Sequence, residues 1–129
     1  MLKEPKADVA WIKDNKETIL GIGTFADTPE GCTQHYGKWA KDYDHIVEKI
    51  GMNDHFMLAR ELADQPKGRL LDFGCGTGLT GVELRKVGFE LIDGNDGAKD
   101  MLPVCGAKQV YKDLRQLFIG VDPMPEDYR

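Results

Sequence analysis

Residues 70–81 read Leu70-Leu71-Asp72-Phe73-Gly74-Cys75-Gly76-Thr77-Gly78-Leu79-Thr80-Gly81. An apolar pair and an acid that run into alternating glycines predict a buried strand turning sharply into a helix. Glycine lets the backbone turn without steric cost and removes the Cβ that would keep a ligand away, while the free amides of the helix start face that ligand. Leu79, Val82 and Val87 follow at helical spacing, and Gly88 suits the left-handed residue that ends a helix. Phe89-Glu90-Leu91-Ile92 then reads as a second strand. Strand, helix and strand in so few residues make a right-handed βαβ unit with parallel strands, whose ligands sit beyond the carboxyl ends.

Asp96 falls just past that second carboxyl end, 20 residues after Gly76. An ionised carboxylate there offers only acceptor sites and suits the two hydroxyls of a ribose, so the expected ligand is a nucleoside. Gly74, Gly76 and Gly78 fall as G-x-G-x-G, whereas the dinucleotide pattern G-x-G-x-x-G is met one register later by Gly76, Gly78 and Gly81. Spacing alone therefore leaves NAD open. Asp72 weighs against it, since an acid at the strand end repels a pyrophosphate but can hold a ligand ammonium. A P-loop is excluded because no Gly-Lys-Ser/Thr follows the glycines.

Leu70 to Gly78 resembles the first signature motif of class I S-adenosylmethionine-dependent methyltransferases, and Gly94-Asn95-Asp96-Gly97-Ala98-Lys99-Asp100-Met101-Leu102 resembles the family segment that carries the ribose acid. Tyr36-Gly37-Lys38-Trp39-Ala40-Lys41-Asp42-Tyr43-Asp44 is similar to the Tyr-Asp-x-Trp-Ala-x-x-Tyr-Asp helix that precedes the first strand in one branch of the family. Gly37 departs from that pattern where an acid is usual, and Asn95 stands where an apolar residue is usual. The resemblance implies an α/β, Rossmann-like doubly wound sheet with amino-terminal helices, S-adenosylmethionine as cofactor, and methyl transfer to an unidentified acceptor by direct displacement. It implies cofactor binding by Asp72, Gly74, Cys75, Gly76, Gly78, Asp96 and Gly97, with Tyr36 and Trp39 from a helix that caps the pocket. It also implies an acceptor for the adenine amino group beside the third strand, at Asp113 or Asp122. No catalytic base is required, and no metal is expected.

At 129 residues, 41% hydrophobic and 30% charged, the chain is large enough for one core and too small for two. Its net charge of −5, with signs interspersed, gives no support for binding nucleic acid or an anionic membrane. No run approaches the ~20 apolar residues of a membrane span. Cys32, Cys75 and Cys105 lack metal-ligand spacing and fit a reducing cytoplasmic or nuclear setting. Cys75 lacks an adjacent base and reads as a small loop residue. His35, His45 and His55 match no ligand spacing.

Residues 1–27 read as an amino-terminal extension holding a short helix over 7–20 and a turn at Gly21-Ile22-Gly23. Residues 28–129 read as a partial methyltransferase domain. A helix starts with Thr28 as N-cap and Pro29 in its first position; its stripe of Tyr36, Trp39, Ala40, Tyr43, Ile46, Val47 and Ile50 ends at Gly51. A stripe of this kind usually belongs to the core, which sets the alternative for its aromatic residues. Further helices are predicted over 54–63 and 98–104. A third strand is predicted over Leu114 to Ile119, with Val110-Tyr111 as its alternative, and a turn-rich tail follows.

Only three parallel strands are expected, the first half of the family's sheet, which reads as a truncated product or fragment. The first strand belongs at the centre of that sheet, with apolar residues facing both layers and one edge left open for self-association. Three readings follow: a methyltransferase or its cofactor-binding half, an NAD-dependent oxidoreductase fragment, and a non-catalytic interaction module.

Overall fold

The computed structural model describes residues 5–22 and 28–128. Its helices are α1 (Val9–Asp14), α2 (Lys16–Ile22), α3 (Pro29–Trp39), α4 (Tyr43–Ile50), α5 (Asp54–Leu62), α6 (Leu79–Lys86) and α7 (Met101–Ala107). Three strands, β1 (Leu70–Phe73), β2 (Ile92–Asp96) and β3 (Asp113–Gln116), form one parallel sheet in the order β1-β2-β3. The expected α/β, Rossmann-like half-sheet is therefore present, with α6 and α7 as the crossovers. Among the described residues no strand pairs with the outer edge of β1. None of the described helices is long and apolar enough to cross a membrane.

Several boundaries differ from the sequence reading, each for a local reason. The single helix over 7–20 is two, divided at Asn15, which donates from Nδ2 to the Trp11 carbonyl and from its backbone to Ile12. Gly21 and Ile22 remain helical rather than turning, and Gly23 lies outside the described residues. The helix capped by Thr28, whose Oγ1 accepts from the Gly31 amide at 3.0 Å, ends at Trp39 instead of running to Gly51. Tight turns from Ala40 to Gly37 and from Asp42 to Trp39 divide it, because Ala40 is drawn into a cluster with Ala98 and Met101. Gly51 does end α4, at φ 72°.

The second strand starts at Ile92 and not at Phe89. Gly88 at φ 106° and the amides of Gly88 and Phe89 bond back to Arg85 and Leu84, the pattern of a Schellman cap, so Phe89 belongs to the end of α6. Its ring is buried in the core. The helix expected at 98 starts at Met101, since Ala98–Asp100 is a turn tied to Asp96. The third strand begins at Asp113 and stops at Gln116; Asp122 Oδ2 then accepts the Phe118 amide and turns the chain out of the sheet. Val110-Tyr111 is not a strand.

The strand register places Leu70, Asp72, Ile92 and Gly94 on the face covered by α5 and α6, where Ala59, Leu84, Phe89, Ile92 and Val110 form the core. The other face carries Leu71, Phe73, Asp93, Asn95, Asp113 and Arg115. It is therefore polar at its centre, which corrects the expectation of apolar residues toward both layers. Arg69 pairs with Asp93 at 2.7 Å, and Arg115 pairs with Asp113 at 2.6 Å and with Asp127 at 2.7 Å. A short 3-10 helix, Glu126–Tyr128, lies over this face, with Tyr128 beneath the Arg115 guanidinium and edge-on to Phe73. α1 is fastened to α4: the Asp8 amide donates to the Lys49 carbonyl at 2.8 Å and its carboxylate pairs with Lys49 at 2.9 Å.

Candidate functional site

Beyond the carboxyl ends of β1 and β2 lies a cavity of about 510 Å³. Its walls include Gly74 and Gly76 from the glycine loop, Asp96 at the end of β2 with Gly97 and Ala98 after it, Tyr36 from α3, Tyr43 from α4, and Leu117 to Ile119 after β3. Gly74 and Gly76 have φ of 69° and 55°, a region that L side chains rarely adopt, and a Cβ on either would meet nothing within 4 Å. These two positions are therefore glycine for conformation, and they leave open space where a ligand can reach the backbone.

Asp96 ends β2 and is held from two sides. Its Oδ2 accepts the Gly76 amide and its Oδ1 accepts the Ala98 amide, both at 2.8 Å. Each carboxylate oxygen still has a free lone-pair site. The Gly97 carbonyl accepts from Thr33 Oγ1 at 3.1 Å and from Gln116 Nε2 at 3.0 Å, which joins α3 and β3 to the same turn. Burial, followed by the neighbouring Tyr36, raises the Tyr43 hydroxyl above its ordinary range. The Gly37 departure has a structural reason, since a side chain there would run into the carboxylate of Asp100. An acid at position 37 would add charge repulsion.

Of the residues singled out in the sequence, Tyr36, Gly74, Gly76, Asp96 and Gly97 meet at this cavity. Asp72, Cys75, Gly78 and Trp39 do not line it. Trp39 packs where a Cβ on Gly21 would sit at 3.1 Å, and its Nε1 is buried without a hydrogen-bond partner among the described residues. The Asp72 carboxylate accepts from the Tyr111 hydroxyl at 2.6 Å, and that hydroxyl accepts from the Gly81 amide at 3.0 Å. Burial raises the Asp72 carboxyl, against the opposing effect of the Tyr111 bond, and burial with the nearby Asp72 raises the Tyr111 phenol.

Tyr111, which supports the glycine loop from behind and does not line the cavity, is the residue that the sequence reading missed. A Cβ on Gly78, Gly81 or Gly94 would lie 3.1, 2.5 and 2.8 Å from its side chain, so three glycines open one slot for one ring. The apolar pair Val110-Tyr111 carried the signal but read as a strand. Gly81, the third glycine of the dinucleotide register, is thus a packing glycine whose amide is already bonded.

A second unforeseen link involves Thr77, which donates to Asp44 Oδ1 at 2.5 Å while its carbonyl accepts from Lys108 Nζ at 2.5 Å. Lys108 and Asp44 pair at 2.7 Å, so α4, the glycine loop and the end of α7 close on each other. Behind the loop, Cys75 and Cys105 are buried with their sulfurs 3.9 Å apart. The bond with Cys105 and then burial hold the Cys75 thiol well above its usual range, which makes it a poor nucleophile. Asp113 stands at the amino end of β3, opposite Asp93 and away from the cavity, whereas Asp122 closes the turn beside the lining residues Phe118 and Val121. The histidines each pack against a different aromatic ring, and the described residues hold no group of three metal-ligating side chains.

No family model matches the chain. It is 36% identical over 95 residues to the human protein Methyltransferase-like protein 27, a match covering 70% of this chain and 39% of that relative. The chain thus spans about two fifths of the length of the curated relative it matches. This likeness, on a half-sheet with an open glycine loop and an acid at the end of its second strand, supports a methyltransferase family for the chain.

Proposed function

We propose that the chain is the cofactor-binding part of an S-adenosylmethionine-dependent methyltransferase, and that its three resembling segments are most like those of the methyltransferase-like protein of the Williams–Beuren critical region. The observation that carries this reading is Asp96, oriented by the amides of Gly76 and Ala98 at the mouth of a cavity whose floor is open glycine. The residues present fit a nucleoside. Asp96 keeps acceptor sites for ribose hydroxyls, Gly74 and Gly76 leave room against the backbone, and Met101, Leu117 and Phe118 offer an apolar wall for a purine ring. Tyr36 lines the opposite side from α3, and Asp122 is the better placed of the two candidate adenine acceptors.

S-adenosylmethionine, when bound, supplies a methyl group made electrophilic by its sulfonium. The chain's own part is alignment and exclusion of water, so the site requires no general base. Gly78 and Cys75 shape the loop from behind. Asp72 acts on the loop through Tyr111 and Gly81. The methyl acceptor is a further ligand, with no nucleic acid or membrane implied. A cytoplasmic or nuclear setting suits three free cysteines, and the open edge of β1 is the surface for self-association.

The test is titration calorimetry and thermal shift with S-adenosylhomocysteine against NAD. S-adenosylhomocysteine should bind and raise the melting temperature, because a ligand bound only by the native state stabilises it, and NAD should do neither. The reverse would favour the dinucleotide reading. No shift with either would favour a non-catalytic interaction module.

A further inference from the structure

The backbone of the glycine loop is held largely from within the βαβ unit. The Cys75 amide donates to the Asn95 carbonyl at 2.8 Å, the Gly76 amide to Asp96 Oδ2 at 2.8 Å, and the Gly78 amide to the Cys75 carbonyl at 2.9 Å. Thr77 is the exception. It is 1% exposed, yet its hydroxyl donates to Asp44 on α4 and its carbonyl accepts from Lys108 at the end of α7. Asp44 and Lys108 then pair with each other at 2.7 Å, which closes a triangle on this one loop residue.

None of these three residues lines the cavity beyond β1 and β2, but each is tied to one that does. Thr77 follows Gly76, Asp44 follows Tyr43, and Lys108 caps the helix that begins with Met101. The triangle therefore fixes three walls of the cavity relative to one another. It also bears on Asp96, because a slip of Thr77 would carry with it the Gly76 amide that orients that carboxylate. Bonds to charged groups are short and directional, and the β-branched Thr77 has few rotamers, so its hydroxyl and its backbone move together. We propose that Asp44 and Lys108 are positioning residues of the cofactor site, a latch that holds Thr77, and through it the Gly76 amide and Asp96, without touching a ligand. Its effect on affinity rests on the nucleoside reading of the cavity; its effect on the loop does not.

The test reads three quantities on the full chain: S-adenosylhomocysteine affinity by calorimetry, melting temperature, and amide hydrogen exchange at Gly76 and Ile92. Lys108→Met should quicken exchange at Gly76 beyond any change at Ile92 and weaken S-adenosylhomocysteine about tenfold, the scale of one bond to a charged group. Thr77→Val, which keeps the shape and removes the donor, should do the same, and Thr77→Ser should restore both. Lys49→Met breaks the other ion pair of α4, the one to Asp8, on the side of α1. It should lower the melting temperature and leave affinity and the excess exchange at Gly76 unchanged, which separates positioning from the mere docking of a helix. Should Thr77→Val fail to fold, Lys108→Met carries the test, since its side chain is already 20% exposed. A parent chain that does not bind S-adenosylhomocysteine would sink the nucleoside reading, and the latch would then stand or fall on Gly76 exchange alone. Parent affinity in Lys108→Met and Thr77→Val alike, or Gly76 exchange that only follows Ile92, would overturn the latch.

Discussion

The two faces of the sheet are built on opposite principles. Toward α6, Leu70 and Ile92 join Leu84 and Phe89 in a dry core, and the polar groups that remain, Asp72 and the Tyr111 hydroxyl, bond to each other. Toward the tail, Asp93, Asn95, Asp113 and Arg115 occupy the centre, held by arginine–carboxylate pairs and one tyrosine ring. The first face is organised by apolar burial, which is strong and indifferent to salt, and the second by ion pairs, which are weak where water reaches them. Stability should therefore reside on the face that also carries the glycine loop.

Ile92→Ala offers the strongest test of that contrast. Ile92 is fully buried in the core, and its truncation should cost about 2–5 kcal/mol in urea unfolding, the range for a large-to-small change at a packed site. A loss no greater than that of an exposed residue such as Leu91 would mean the dry face does not dominate. Asp96→Ala should weaken S-adenosylhomocysteine binding by about 1.5–3 kcal/mol in calorimetry, the scale of bonds to a charged acceptor. Because the same carboxylate holds two backbone amides, this variant should also lower the melting temperature, and Asp96→Asn should lower it less.

Tyr111→Phe should come next. It keeps the ring in its glycine slot but leaves Asp72 and the Gly81 amide without their partner, a destabilisation of about 1–3 kcal/mol. Gly81 amide exchange should quicken while that of the Ile92 amide changes only with global stability. If both amides respond equally, the hydroxyl has no local role in holding the loop.

The smallest effect is one of pH, and it has opposite signs on the two faces. Asp72 has a raised folded-state pKa, so the native protein takes up its proton first, and this residue's contribution to stability increases as pH falls through that value. Asp127 has a lowered one, from the hydrogen bond to Arg115, so its contribution is present above the unfolded carboxylate pKa and fades as pH falls through the folded one. Comparing melts of Asp72→Asn and Asp127→Asn with the parent across pH 7 to about 3 should show differences of opposite slope. Slopes of the same sign would remove the distinction between the faces.

Legibility in the sequence follows the same division. The glycine loop, the parallel βαβ order and the place of Asp96 beyond the second strand could be read because backbone conformation demanded glycine and the loop, helix and strand follow one another within about 25 residues. The second strand slipped by three residues because Asp93, Gly94 and Asn95 look like a turn; only pairing on both edges makes them strand. Its polar side chains are matched by Arg69 and by a tight loop amide, partners far away in sequence. Tyr111 and the Asp44–Thr77–Lys108 link were hidden for the same reason. Each joins segments about thirty or more residues apart, and no local pattern encodes such a meeting.

α3 walls the cavity, yet none of its side chains is fully buried. An isolated helix of 11 residues is marginal in water, so α3 takes its stability from docking: Tyr36 on the Ala98–Met101 cluster, Trp39 against Gly21, Thr33 on the Gly97 carbonyl and the close approach at Gly37. Partial opening should therefore release this wall well before the β1–α6–β2 core, with hydrogen exchange fast in α3 and slow in β2. A ligand spanning the cavity from Asp96 to Tyr36 would have to suppress that opening. Part of its binding free energy would then be spent on ordering a helix, so measured affinity would report the docking equilibrium of α3 as well as contacts to the ligand.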